Sequence, residues 1–157
     1  MGNERGTMKR TLIIALAGAV VAGGTASAAP RLSGPGTIRI TSREVANTRV
    51  DVGNKGLSAG DMDIIREQLF NTRITPKAIG HGELVCTYTV KTSRNCQGTF
   101  FLPKGKIVVA GPVYYRQLYE LAVIGGTGLY DNVRGSVTVT ATSSNPRREV
   151  IVFRLTV

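Results

Sequence analysis

Few side chains in this sequence are of types that carry chemistry on their own. The chain of 157 residues has one histidine, His81, set between two glycines. A histidine metal cluster and a Ser-His-Asp arrangement are therefore not expected. We interpret His81 as a surface or supporting loop residue, with acid–base work as the alternative. The glycines do not match a phosphate-binding loop, and no EF-hand or zinc spacing occurs. The sequence thus predicts neither a metal nor a nucleotide cofactor.

The first 28 residues have the pattern of a secretory signal peptide. A polar segment with Arg5, Lys9 and Arg10 precedes an apolar run over 11–22, and Ala26-Ser27-Ala28 is a small-x-small cleavage signal. The run is shorter than the roughly 20 residues of a spanning helix. We predict cleavage after Ala28, a secreted or cell-envelope location and no transmembrane segment afterwards. The alternative is an uncleaved membrane anchor.

The charge is strongly basic but dispersed. Twenty Lys and Arg against ten Asp and Glu give a net charge of +10. The predicted leader contributes three basic residues and one acidic one, so +8 is left for the remainder. No helix concentrates the bases and no basic-aromatic module interleaves them, which argues against nucleic acid as a partner. We expect these bases, Arg94 among them, on the solvated outer faces of strands.

Cys86 and Cys96 are the two cysteines. The residues between them include Thr92-Ser93-Arg94-Asn95, a composition typical of a turn. A hairpin with its turn near Lys91 would set the two cysteines opposite each other. In an exported protein this favours a disulfide.

The elements are short strands separated by turns. After a loose lead-in over 29–36, the predicted strands cover 37–43, 49–52, 83–90, 98–102, 106–110, 113–124, 136–142 and 149–157. Residues 61–70 fit a helix or a strand equally well by pattern. The glycines at 125, 126 and 128 predict a sharp bend between two strands, at the rim of a curved sheet. This set predicts an all-β sandwich or barrel, with one domain over 37–157.

A series of short motifs occurs in a characteristic order. The motifs are Gly60-Asp61, Leu69-Phe70, Ile79-Gly80, Cys86, the segment 107–112 ending in Gly-Pro, and LAVIGGTG over 121–128. Their order and spacing resemble the allene oxide cyclase barrel and the related dirigent proteins. The resemblance implies an eight-stranded antiparallel β-barrel of calycin type, with a strand over 61–70. It also implies a homotrimer, which would cover apolar outer faces, and a cofactor-free site for an apolar small molecule in the lumen.

The resemblance also assigns candidate site residues. Glu67 matches a polar lumen position of the cyclases, where a carboxylate could be charged and paired, act as a general base if desolvated, or face outward beside Arg66. Cys86 matches a lumen cysteine, whose thiol a disulfide would remove. Arg116 replaces a lumen tyrosine that Tyr114, Tyr115 or Tyr119 could supply. These four are the predicted substrate-binding residues.

The catalytic glutamate of the plant cyclases has no counterpart, because 37–41 contains no acid. Allene oxide cyclase activity itself is therefore not expected. The dirigent motif GGTGLYDNVRG supplies Arg134 and Asp131, which could bond a phenol or quinone methide oxygen, or could brace the corner by a salt link. Glu67, Arg134 and Asp131 are the predicted catalytic residues.

The predicted function is control of the stereochemistry of a cofactor-free cyclisation or coupling, as an isomerase, a cyclase or a dirigent-like protein. The first alternative is a non-catalytic carrier of a lipid or polyketide-like ligand. The second is a basic cell-envelope protein that binds anionic polymer by charge, with strong salt dependence.

Overall fold

The computed structural model describes residues 30–157, so the predicted signal peptide lies outside the described residues. The described chain is all β. Its eight strands are β1 (Gly36–Val50), β2 (Met62–Phe70), β3 (Gly80–Val90), β4 (Ser93–Leu102), β5 (Gly105–Val113), β6 (Leu118–Gly128), β7 (Arg134–Ser144) and β8 (Arg147–Thr156). The segment 62–70, open between helix and strand by pattern, is a strand. Among residues 30–157, no helix is long and apolar enough to cross a membrane.

The strands close into one antiparallel barrel. Each pairs with its neighbours in sequence, and β8 pairs back with β1, which confirms the predicted eight-stranded barrel. We call the end that carries loops 51–61, 91–92, 114–117 and 145–146 the mouth, and the other end the base. At the base, Leu32 N donates to Leu129 O (3.0 Å), and an ion pair joins Arg31 to Asp131 (3.0 Å). The chain before β1 is thereby tied across the base.

Alternation along each strand points one set of side chains into the lumen. Towards the base this set is apolar and close-packed, and the Phe100 and Phe153 rings meet edge to face at 5.2 Å. The lumen's apolar residues towards the base include Leu69, Phe100, Ile107, Val109, Val137, Phe153 and Leu155. The base half is therefore a filled core, and space for chemistry has to come from the other half.

The predicted disulfide is present. Cys86 on β3 and Cys96 on β4 are directly paired in register, with a Cα–Cα distance of 4.0 Å, and their sulfurs are bonded. Both cysteines are buried. The Cys86 thiol is therefore not available for chemistry.

Two strand boundaries differ from the prediction. Residues 37–43 and 49–52 were predicted as separate strands, but β1 runs unbroken to Val50, and Asp51 and Val52 lie outside it. A β-bulge between Glu44 and Ala46 carries the pairing through the polar stretch that interrupts the alternation. The predicted strand 113–124 is also divided, because β5 ends at Val113 and β6 begins at Leu118.

The glycine stretch is not itself the bend. β6 continues through it to Gly128, and the chain turns over 129–133. A Cβ added at Gly126 would lie 2.3 Å from the Tyr130 carbonyl oxygen, and one at Gly128 would lie 2.5 Å from that of Lys104. The glycines thus let the following loop fold back against the strand end. The glycine stretch does lie at a rim of the barrel, namely the rim at its base.

Candidate functional site

Two buried carboxyl groups, one from each of the strands that flank β1, point into the lumen near its middle. Glu67 projects inward from β2 and Glu149 from β8, and the two are 5% and 3% exposed. β1 lies between them, where the buried Ser42 is paired directly with Glu149. The alternation of side chains along β2 explains why Glu67 points inward, because Glu67 lies on the same strand face as the buried Asp63, Ile65 and Leu69. We call Glu67 and Glu149 the carboxyl pair.

Electrostatics keep a proton on this pair. Burial, and then the charge of Glu149, raise the pKa of Glu67 to about 8. Burial also raises the pKa of Glu149, although the charge and hydrogen bond of Arg147 act in the opposite direction. Two adjacent carboxylates cannot both ionise cheaply away from water, so the pair titrates as a unit. Near neutral pH it holds one proton, and Glu149 beside Arg147 is the better site for the negative charge.

Arg147 and Tyr119 complete the surroundings of the pair. Arg147 Nε donates to Glu149 Oε1 at 2.7 Å, and its Nη2 donates to the carbonyl oxygen of Arg116 in the 114–117 loop. Burial, followed by the charges of Glu149 and Glu67, raises the pKa of the Tyr119 phenol well above its usual value. Tyr119 therefore stays protonated and can only be a neutral hydrogen-bond partner.

Three polar atoms of this region lack partners. Ser42 Oγ, Glu67 Oε2 and Glu149 Oε2 are buried and make no hydrogen bond within the described part of the chain. Buried polar atoms are nearly always hydrogen-bonded in folded proteins. The Ser42 hydroxyl and the Glu149 carboxyl both lie close enough to hydrogen-bond the Glu67 carboxyl, so the three side chains form one small polar group on adjacent strands, turned into the lumen.

A second polar group lies nearer the mouth. Asp63 on β2 accepts from Arg49 Nε (2.9 Å) and Nη2 (2.8 Å), from Tyr88 Oη (2.9 Å) and from Arg94 Nη1. Burial works to raise the pKa of Asp63, but these hydrogen bonds and the two guanidinium charges outweigh it and lower the pKa. We call these four residues the Asp63 cluster. Its two cations and one anion leave a net charge of +1.

The mouth opens above the Asp63 cluster through a cavity of about 440 Å³, which we call the mouth pocket. The 114–117 loop and the β3–β4 hairpin form its walls. Its lining residues are Tyr88, Lys91, Thr92, Arg94, Val113, Tyr114, Tyr115 and Arg116. Basic and phenolic side chains dominate, and the lining includes no acidic residue. The volume is of the order of a small-molecule site.

The structure brings some of the predicted site residues together and separates others. Glu67 points into the lumen and does not face outward beside Arg66. Tyr119 lies close enough for the charge of Glu67 to raise the pKa of its phenol. Tyr114, Tyr115 and Arg116 line the mouth pocket. The remaining pair does not join them, because Asp131 and Arg134 lie at the base.

At the base, Asp131 is engaged by Arg31, and Arg134 is exposed with Nη1 donating to the Val133 carbonyl oxygen. A salt link between Asp131 and Arg134 is not among the ion pairs of residues 30–157. Their catalytic role remains a prediction, separate from the lumen chemistry. His81 lies on the outer face of β3, where its ring stacks on Phe101 at 4.3 Å.

Sequence reasoning missed Glu149, Asp63 and Arg94. Arg94 was expected on a solvated outer face, but it is 5% exposed and ion-paired inside the barrel. The sequence did contain a signal for the inward direction of Arg94, which is its position two residues before Cys96 on the same strand face. Glu149 likewise precedes Ile151, Phe153 and Leu155 at a spacing of two along the inward face of β8. Among residues 30–157 no group of three or more potential metal ligands occurs.

Comparisons of the sequence give no match to any family model or curated protein. Comparisons of the structure do give matches. Pyocyanin demethylase matches with a TM-score of 0.66 at 26% identity, over 76% of this chain and 99% of that chain. A pterocarpan synthase dirigent protein matches with a TM-score of 0.60 at 14% identity, over 77% and 86%. An exo-specific intermolecular Diels–Alderase matches with a TM-score of 0.60 at 12% identity, over 76% and 98%.

The two neighbours of low identity establish the fold alone. They agree with the closed barrel and with the resemblance carried by the LAVIGGTG and GGTGLYDNVRG motifs. In fold, this chain is similar to dirigent-protein and cyclase-like barrels.

Proposed function

We propose that this protein is a cofactor-independent isomerase or cyclase that binds a mostly apolar small molecule in the mouth half of its barrel. The observation that carries the proposal is the carboxyl pair with its unpartnered oxygens. A purely structural core rarely buries two adjacent carboxyl groups, because a buried charge is costly unless it is paired. Such an arrangement is typical of sites where a pKa is tuned for proton transfer.

The proposed chemistry uses one proton shared between two carboxyls. Glu149, held anionic beside Arg147, takes a proton from the substrate, and Glu67, held protonated, delivers one at a second atom. A pKa of Glu67 of about 8 suits an acid that works near neutral pH. Tyr119, which stays protonated, donates a hydrogen bond to a substrate oxygen.

The walls contribute shape rather than charge. Leu121 on β6 and Ile65 on β2 are buried and present apolar surface to the lumen. Such walls exclude water and restrict a flexible substrate to one conformer, which favours one product stereoisomer. Ring formation is in keeping with the names of two neighbours, a pterocarpan synthase and a Diels–Alderase.

Demethylation is the second candidate reaction. It is favoured by the 26% identity to a protein named pyocyanin demethylase, over nearly the whole of that chain. An acid–base pair serves isomerisation directly, whereas loss of a methyl group as formaldehyde also consumes water and two electron equivalents, which a redox-active aromatic substrate would have to accept itself. The assay therefore has to detect two kinds of product, an isomer of unchanged mass and a compound that has lost a methyl group.

The test is turnover of an organic extract of the source culture, followed by chiral chromatography with mass detection. Glu67→Gln and Glu149→Gln keep the shape and remove the acid–base function, and Glu120→Gln on the exposed outer face is the matched control. We expect the two lumen variants to lose on the order of 100-fold or more in rate, and the control to lose nothing. Normal turnover by Glu67→Gln would refute the site, and a bound extract component without any product would favour the carrier.

We also propose that the protein is secreted and assembles as a trimer. The disulfide supports an oxidising compartment. Ile64, Val85 and Ile124, each 44% exposed on the outer face, support burial against another copy. Fractionation of the source culture tests the first proposal and sedimentation velocity tests the second.

A further inference from the structure

The charge inside the barrel is divided by level. Lys91, Arg94 and Arg116 line the mouth pocket without any acidic residue, and the Asp63 cluster beneath them has a net charge of +1. Deeper in the lumen the polar groups are acidic, because the carboxyl pair lies there and Arg147 is the cation that engages it. A ligand that enters through the mouth therefore meets a positive region first and an acidic region second.

Arg94 joins the two regions. Its side chain is 6% exposed, and Asp63 engages its Nη1. No hydrogen bond within the described residues engages its Nε or Nη2, although the residue lines the mouth pocket. A guanidinium with free donors at the floor of a pocket is suited to the planar, two-oxygen geometry of a carboxylate. Lys91 and Arg116 at the rim add charge without fixed partners.

The tyrosines around the mouth pocket indicate the shape of the ligand that the pocket can bind. Tyr114 and Tyr115 are 63% and 75% exposed on the rim, and Tyr88 lies at the floor. Exposed phenol rings around a pocket offer flat surfaces for stacking, and aromatic pairs contribute beyond the area that they bury. A planar unsaturated body fits this lining better than a flexible alkyl chain does.

We propose that the mouth pocket binds the carboxylate end of a planar aromatic acid, and so orients the substrate with its neutral end at the carboxyl pair. This inference rests on the proposed function, because the neutral end is the part that would react. The opposite orientation would bring a carboxylate against the Glu149 carboxylate, and like charges away from solvent repel strongly. Charge thus selects one of the two ways in which an elongated ligand can enter.

The test compares two probes of the same shape, naphthoate and its neutral amide, naphthamide, by equilibrium dialysis against the full protein at low and high salt. We expect naphthoate to bind about 10-fold more tightly than naphthamide at low salt, and the difference to shrink at high salt. The double variant Lys91→Gln/Arg116→Gln, at exposed positions, should weaken naphthoate by about 3- to 30-fold and leave naphthamide unchanged.

The matched control is Lys77→Gln/Lys104→Gln, which removes the same charge from exposed loops at the base. It should leave the binding of both probes unchanged. Equal affinity for the two probes, or an equal loss in both double variants, would overturn the proposal, and the second result would indicate attraction by net charge alone. The test is independent of turnover. If Glu67→Gln abolishes turnover while the probes bind equally, only the orientation fails; if naphthoate is selected but Glu67→Gln turns over normally, only the catalytic site fails.

Discussion

Replacement of Glu67 by Gln should change how the stability of the barrel depends on pH. Folding raises the pKa of this carboxyl from 4.5 to about 8, so the native state binds the proton more tightly than the unfolded chain does. The associated stability is fully present below about pH 4.5 and is lost as the pH rises through about 8. At 1.36 kcal/mol for each pH unit, the full loss is at most about 5 kcal/mol, of which about 3 to 4 falls between pH 5 and 8.

This loss is large beside the total stability of a small domain, about 5 to 15 kcal/mol. Glutamine has nearly the same shape and no proton to lose, so Glu67→Gln should keep most of that free energy at pH 8. The assay is urea unfolding followed by far-UV circular dichroism at pH 5 and pH 8, with the disulfide intact and at one protein concentration.

Glu120→Gln, on the exposed outer face, controls for the change of one charge and should unfold like the wild type at both pH values. The decisive quantity is the change in unfolding free energy from pH 5 to pH 8, compared between wild type and Glu67→Gln, because groups that are not coupled to Glu67 cancel in that comparison. If the wild type and Glu67→Gln lose the same unfolding free energy from pH 5 to pH 8, then Glu67 is not a buried, protonated acid. The chemistry proposed for the carboxyl pair would then have no basis.

Four further changes test other parts of the structure. Asp63→Asn leaves Arg94 buried without its counter-charge and should cost about 3 to 5 kcal/mol in urea unfolding, whereas a cost below about 1 kcal/mol would mean that water enters the cluster. Because the pKa of Asp63 is lowered, its stabilisation should be present above about pH 4 and disappear in acid, a fall that the Asn variant should lack. The double variant Cys86→Ala/Cys96→Ala opens a loop with a sequence separation of 10 and should lose about 3 kcal/mol while turnover persists; loss of turnover in a folded variant would contradict a structural role. Gly82→Ala places a Cβ 3.3 Å from the Phe100 ring and 3.7 Å from Glu67 Cβ, and should cost about 1 to 2 kcal/mol by the same assay, unless the ring can shift freely. Asp131→Ala and Arg134→Ala, at the base, should each change stability by less than about 0.5 kcal/mol. Their predicted catalytic role requires a large loss of turnover in both variants, and unchanged turnover would refute it.

The barrel itself was predictable because its signals are local or lie in short motifs. Alternation is a property of each strand alone, as in the inward Val137 and Val139 of β7. The cysteine pair was predictable for the same reason, since the hairpin that sets Cys86 opposite Cys96 is closed by a turn a few residues away. Where the alternation is interrupted, as at the β1 bulge and along the glycines of β6, local reasoning placed strand ends wrongly.

The site was only partly predictable, because it depends on which distant strands become neighbours. Glu67 could be singled out in β2, but its pKa is raised by burial inside the closed barrel and then by Glu149, which lies 82 positions later and reaches it only because β8 closes the barrel onto β1. The inward direction of Glu149 can be read from the alternation of β8. Its closeness to Glu67 cannot, because one strand's pattern says nothing about the register of another.

The same closure explains why an acid pair can exist here at all. In an open sheet, Glu67 and Glu149 would face water, ionise separately and repel only weakly through the solvent. Closure of β8 onto β1 removes the water and couples the two titrations, so a pair of ordinary surface acids becomes one acid and one base. The proton chemistry proposed for this protein is therefore a consequence of the barrel topology as much as of the residues, and opening the β1–β8 seam should abolish it even with both glutamates in place.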